Sequence, residues 1–73
     1  MSKIEAKADV TGSVWKIVAE VGKRLEEGDT IMILESMKME IPVLVEEGGT
    51  LVELTVSEGT AVSEGQVVAI LEG

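Results

Sequence analysis

The sequence predicts an all-β domain built from two similar halves, on three observations: an internal repeat, short period-two segments, and glycine turns at matched positions in each half. Shifted by 37 positions, residues 4–35 lie over residues 41–72 without a gap. Ile4 meets Ile41, Gly12 meets Gly49, Gly22 meets Gly59 and Gly28 meets Gly65. Between them apolar positions pair with apolar ones: Ile17 with Leu54, Leu25 with Val62, Ile31 with Val68, and Ile33 with Ile70.

Taken in order, Ile4, Ala6 and Ala8 alternate with polar residues, and so, around Lys16, do Trp15, Ile17 and Ala19. A period of two marks a strand with one buried face, which assigns Trp15 to the core. Glu20–Gly22 and Glu26–Asp29 break the chain. Thr30–Leu34 is apolar nearly throughout and reads as a buried strand, continuing to Glu35. A second strand covers Glu40–Val45, where Pro42 cannot donate to a ladder and is expected at a strand start, a bulge or an edge. The second half repeats the scheme with Val52, Leu54 and Val56, breaks at Ser57–Gly59 and Ser63–Gln66, and a buried run over Val67–Leu71. Glycines 12, 22, 28, 49, 59 and 65 read as turn formers, and none precedes a helix in a phosphate-cradling pattern. No helix of ordinary length fits between the turns. The halves are expected to pack as a flattened barrel or sandwich about a pseudo-two-fold axis.

A chain of 73 residues holds one domain, residues 1–73, with one modest core. With 45% hydrophobic residues but only 1% aromatic, Val, Ile, Leu and Met must fill the interior, and a deep aromatic-walled ligand pocket is not expected. The absence of Cys and His removes disulfides, thiolate or imidazole metal sites and His-dependent nucleophiles. No catalytic residue and no metal-ligand set is assigned. The net charge of −8 opposes binding to nucleic acid or anionic lipid, favours a soluble monomer, and suits a partner with a basic docking face. The first residues contain no apolar signal region and no stretch approaches a membrane span, so a cytoplasmic location is the expectation.

Residues 36–39 join the halves, and a hairpin tip there projects Lys38 into solvent, opposite the chain ends. Two of the four methionines, Met37 and Met39, flank this lysine where polar turn formers are usual. The residues alone permit two readings. The methionines fill core gaps beside an ordinary solvated lysine, or they form a surface that another protein recognises. Glu35 and Glu40 flank the tip. An exposed hairpin cannot desolvate a general acid, so they read as strand-edge solubility charges or, functionally, as docking groups for basic residues of a partner. Glu26-Glu27 and Glu46-Glu47 read as solvated faces.

Glu35-Ser36-Met37-Lys38-Met39 resembles the signature of the biotin/lipoyl attachment domains, in its biotin form. The resemblance spans nearly the whole chain, through Gly12-Ser13-Val14, Val21-Gly22, Glu27-Gly28-Asp29, Gly49-Thr50-Leu51, Glu58-Gly59 and Glu64-Gly65-Gln66. It implies a flattened β-barrel of two four-stranded antiparallel sheets. It implies that a biotin protein ligase attaches biotin covalently to Lys38 through an adenylate, with Met37 and Met39 as flanking recognition residues and Glu35, Ser36 and Glu40 completing the tip. The biotinylated chain then carries carboxybiotin between biotin carboxylase and carboxyltransferase partners and is itself no enzyme. Lipoyl domains generally place other residues around their lysine, so the methionines favour biotin. A lipoyl carrier, or an acceptor of both groups served also by a lipoate-attaching enzyme, is the nearest alternative, and an unmodified interaction module with a Met-rich tip is the next. The sequence departs from the family in having Asp9-Val10-Thr11 before Gly12 in place of a Met-Pro pair. The Ala19–Leu25 segment matches Val56–Val62 in length, so the thumb of some bacterial biotin carriers is expected to be absent. The Met1-Ser2-Lys3 start and the lack of a Pro/Ala-rich linker lean towards a free-standing protein.

Overall fold

The computed structural model describes residues 3–73, so the first two residues of the Met1-Ser2-Lys3 start lie outside it. The chain forms β1 (Lys3–Lys7), β2 (Gly12–Ile17), β3 (Arg24–Leu25), β4 (Thr30–Ser36), β5 (Met39–Leu44), β6 (Gly49–Leu54), β7 (Ala61–Val62) and β8 (Val67–Glu72). These make two four-stranded sheets with strand orders β1-β8-β6-β3 and β5-β4-β2-β7. Every pairing is antiparallel. The sheets do not close on each other, so the architecture is a flattened sandwich.

The repeat exchanges the two sheets: β1 corresponds to β5, β2 to β6, β3 to β7 and β4 to β8. Each half therefore gives two strands to each sheet, and neither half can bury its apolar face alone. The hydrogen bonds follow the same symmetry. Gly22 donates to the Leu51 carbonyl at 2.7 Å, as Gly59 does to Val14 at 2.7 Å. Gly28 donates to Val45 at 2.8 Å, as Gly65 does to Ala8 at 2.8 Å. These four glycines adopt φ between 87° and 97°, the left-handed conformation that the turn reading requires. The segments between β2 and β3 and between β6 and β7, residues 18–23 and 55–60, are equally short, so no thumb interrupts the sheet.

The interior is apolar. Ile31, Met32, Leu34, Leu51, Val68 and Leu71 lie at its centre, and no polar side chain is buried among the described residues. Trp15 does not join them: it is 49% exposed. A β-bulge between Val14 and Lys16 sets Trp15 and Lys16 opposite the single residue Ile33, so Val14 points inward and the next two side chains both point out. Val52 departs from the period-two reading for the same reason, since β6 bulges between Leu51 and Glu53 and buries Leu51 instead. Pro42 lies on β5, an edge strand, as its missing N–H demands.

Gly12 and Gly49 are not turn formers. They open β2 and β6, and each lies under a crossing backbone. A Cβ on Gly12 would collide with the Glu35 carbonyl oxygen, and one on Gly49 would lie 2.5 Å from that of Glu72. Space, not backbone conformation, selects glycine here. Gly12→Ala and Gly49→Ala should each destabilise the domain by about 1–3 kcal/mol, the usual cost of forced overpacking. Urea denaturation checks this, and an unchanged midpoint for both variants contradicts the close-approach account.

Candidate functional site

Strands β4 and β5 pair from Thr30 opposite Leu44, across a bulge between Thr30 and Met32, to Ser36 opposite Met39, leaving Met37 and Lys38 as a two-residue turn. Both turn residues have positive φ, 53° and 65°. That is the type I′ geometry, whose twist matches the flanking strands and whose usual occupants are Asn and Gly. Met and Lys carry a Cβ into the left-handed region at roughly 1–2 kcal/mol per residue. They are the only described non-glycine residues with positive φ, so this local strain is concentrated at the tip.

The first reading of the methionines is settled by exposure. Met37 is 92% exposed and Met39 61%, while Met32 supplies the buried methionine of the core. Lys38 is exposed between them. Among the described residues the one ion pair joins Arg24 and Glu26, which leaves Lys38, Glu35 and Glu40 without an ionic partner. Glu35 and Glu40 face each other across the hairpin as an exposed like-charge pair, an arrangement that favours no intramolecular contact and offers both carboxylates to a basic surface.

The hairpin is braced from β2 and the loop before it. Ser36 Oγ donates to the Thr11 carbonyl at 2.8 Å, and the Glu64 N–H donates to Thr11 Oγ1 at 3.1 Å. Ser13 pairs with Glu35, and Gly12 lets β2 pass against the Glu35–Ser36 backbone. Ser36 is half-buried, and its visible task is this anchorage. The sequence marks Thr11 only as part of the Asp9-Val10-Thr11 departure before Gly12, with no contact assigned to it. The available signal was a mismatch: within the repeat Thr11 falls on Gly48, which has no side chain to make either bond.

The other end of β4 lies far from the tip. Gly48 sits beside Leu25 and Glu26, and Gly49 against Glu72, so the C-terminal end of the chain shares the far end of the molecule with the start of β4. The expected opposition of tip and chain ends therefore holds at the C-terminus and, through the pairing of Lys3 with Glu72, at the start of β1. Two depressions, of about 400 and 410 Å³, are open and are lined by residues other than 35–40. Lys38 and its neighbours Met37, Met39 and Glu40 are all exposed. The arrangement offers a primary amine on a tight turn, to which no side chain among the described residues forms an ion pair. Such an amine can accept an acyl group only when a partner brings both the activated acyl compound and the base.

Comparison with known proteins agrees with this geometry. The family model described as "Biotin-requiring enzyme" matches residues 4–71. The chain is 41% identical over 59 residues to the biotin/lipoyl attachment protein of Bacillus subtilis (strain 168), covering 81% of each chain. It is 36% identical over 67 residues to the biotinylated protein TB7.3 homolog of Mycobacterium leprae (strain TN), covering 92% of this chain and 94% of the relative. The crystal structure of the Kluyveromyces lactis urea carboxylase contains a similar fold, with a TM-score of 0.93 and 32% identity over 99% of this chain and 6% of that enzyme. A family model spanning all eight strands, with the Met-Lys-Met turn inside it, is sufficient: the chain belongs to the biotin/lipoyl attachment domain family.

Proposed function

We propose that this protein is a non-catalytic biotin carrier whose Lys38 accepts biotin from a biotin protein ligase in the cytoplasm. The observation that carries the proposal is the type I′ turn that holds Lys38, exposed and unpaired, between two exposed methionines. The ligase supplies an acyl adenylate. The Lys38 amine, after losing its proton to the ligase, attacks the acyl carbon; the C–N amide bond forms, the acyl–O bond to phosphate breaks, and AMP leaves. The lysine loses its charge and becomes the root of a long arm. The rigid sandwich then supplies a fixed pivot and a high local concentration of the arm's end at each partner site.

The urea carboxylase relative supports partners of the carboxylase type, so the loaded arm is proposed to visit a biotin carboxylase and a carboxyltransferase. Glu35 and Glu40 serve docking to basic groups, and Ser36 keeps the tip fixed on Thr11. The relative named for both biotin and lipoyl attachment supports a second reading, in which Lys38 also accepts lipoate.

Intact mass spectrometry of protein recovered from biotin-supplied cells should show one added biotin and a streptavidin shift, both lost in Lys38→Arg. A lipoyl mass with no streptavidin shift contradicts the biotin assignment. The turn makes a second prediction. Met37→Asn relieves a left-handed strain, so the variant should gain about 0.5–1 kcal/mol, a rise of several degrees in Tm for a domain of this size. The same change removes an apolar side chain from the ligase contact and should lower kcat/KM for biotinylation about tenfold. Thermal unfolding and steady-state biotinylation measure the two effects separately, and a variant that is no more stable refutes the strained-turn account.

A further inference from the structure

We propose that the outer face of the Lys38-bearing sheet, centred on Trp15, is the docking surface for the enzyme that loads Lys38. This rests on the biotin-carrier reading above and adds the surface by which the carrier is recognised.

A two-residue turn is a small target. A specific protein interface takes about 800 Å² from each partner, far more than Met37, Lys38 and Met39 can offer. The loading enzyme must therefore rest on surface that continues from the tip. On the outer face of the sheet, Pro42, Ile33 and the bulged pair Trp15-Lys16 stand side by side across β5, β4 and β2. Leu44 extends this row along β5 and is 47% exposed. Between the row and the tip lie Glu40 and Glu35, on the same face. The surface is thus a mainly apolar stripe, with Lys16 beside Trp15, and an acidic margin next to Lys38.

The pseudo-two-fold axis supplies an internal comparison. On the other sheet the repeat puts Val52 where this sheet has Trp15, Glu5 where it has Pro42 and Lys7 where it has Leu44. The backbone is the same and all six residues are exposed; Ile70 takes the place of Ile33, so the other face keeps Val52 and Ile70 but carries charges where this one has Pro42 and Leu44. Folding needs do not distinguish the two faces, since charged residues serve on one of them. Exposed tryptophan beside proline and leucine suits a protein interface, where aromatic residues are enriched and dominate the energy. The unpaired Glu35 and Glu40 select a partner whose apolar patch is bordered by Lys or Arg. They also disfavour a second copy of this chain, whose own face would bring the same two carboxylates and a net charge of −8.

The test is steady-state biotinylation of the apo protein by a biotin protein ligase, with Trp15→Val and the double variant Pro42→Glu, Leu44→Lys. These residues already occupy the equivalent positions of the other sheet, so folding is preserved, and circular dichroism verifies it. KM should rise about tenfold in each with kcat changed less than twofold, because the tip is untouched. Val52→Thr on the other sheet should leave KM unchanged. Trp15 is the sole tryptophan, so 5-fluorotryptophan gives one ¹⁹F resonance, which should shift when the ligase is added to the Lys38→Arg protein. Unchanged KM in both variants, a ¹⁹F signal that does not move at saturating ligase, or a signal that moves with carrier concentration alone overturns the proposal. A wild-type protein that takes no biotin overturns the biotin reading itself, and is distinguishable from labelled protein with unaltered KM.

Discussion

A two-residue connection between right-twisted strands forces positive φ on both of its residues, and here those residues are Met37 and Lys38. Much of the molecule can be understood as the framework that holds them there. Left to itself the turn would relax towards conformations kinder to a Cβ, or draw Asn and Gly by substitution. It is held by a seven-residue strand, β4, whose residues Ile31, Met32 and Leu34 are wholly buried, and by the Ser36–Thr11 bond at its end. Strain at the tip is tolerated because apolar burial along β4 and its neighbours outweighs it.

Duplication explains how a 73-residue chain achieves this. Strands from both halves interleave in each sheet, so a break in either half exposes the interior of the whole. The symmetry also divides labour. The connection that joins the halves at residues 36–39 presents Lys38, while its counterpart is the pair of chain ends. Several departures from symmetry lie on the tip and its sheet: Thr11 in place of a glycine, Trp15 for valine, and Pro42 and Leu44 for charged residues. Thr11 braces the tip through Glu64, whereas Trp15, Pro42 and Leu44 are exposed and answer no need of the interior, which directs attention to partners.

Much of this was legible in the sequence. The repeat, the β class, the turns at Gly22, Gly28, Gly59 and Gly65 and the exposed lysine all follow from local chemistry that leaves a mark on residue type. The misplaced features share a cause. A bulge inserts one residue without a characteristic side chain, so Trp15 kept the period of the partly buried Ile17 and Ala19 while facing solvent. Gly12 and Gly49 serve a close approach between strands distant in sequence, and a glycine chosen for space reads the same as one chosen for φ. Thr11 acts through Ser36 and Glu64, contacts that only the folded chain creates.

Under the proposed function, position, more than amine chemistry, makes Lys38 the acceptor. Lys3, Lys7, Lys16 and Lys23 are exposed as well and carry the same functional group. The most direct measurement is peptide-level mass spectrometry of the protein isolated from biotin-fed cells, with the modification located by fragmentation. Biotin on Lys38 and on no other lysine is the predicted result; biotin on any of the other four, or spread among them, contradicts the account.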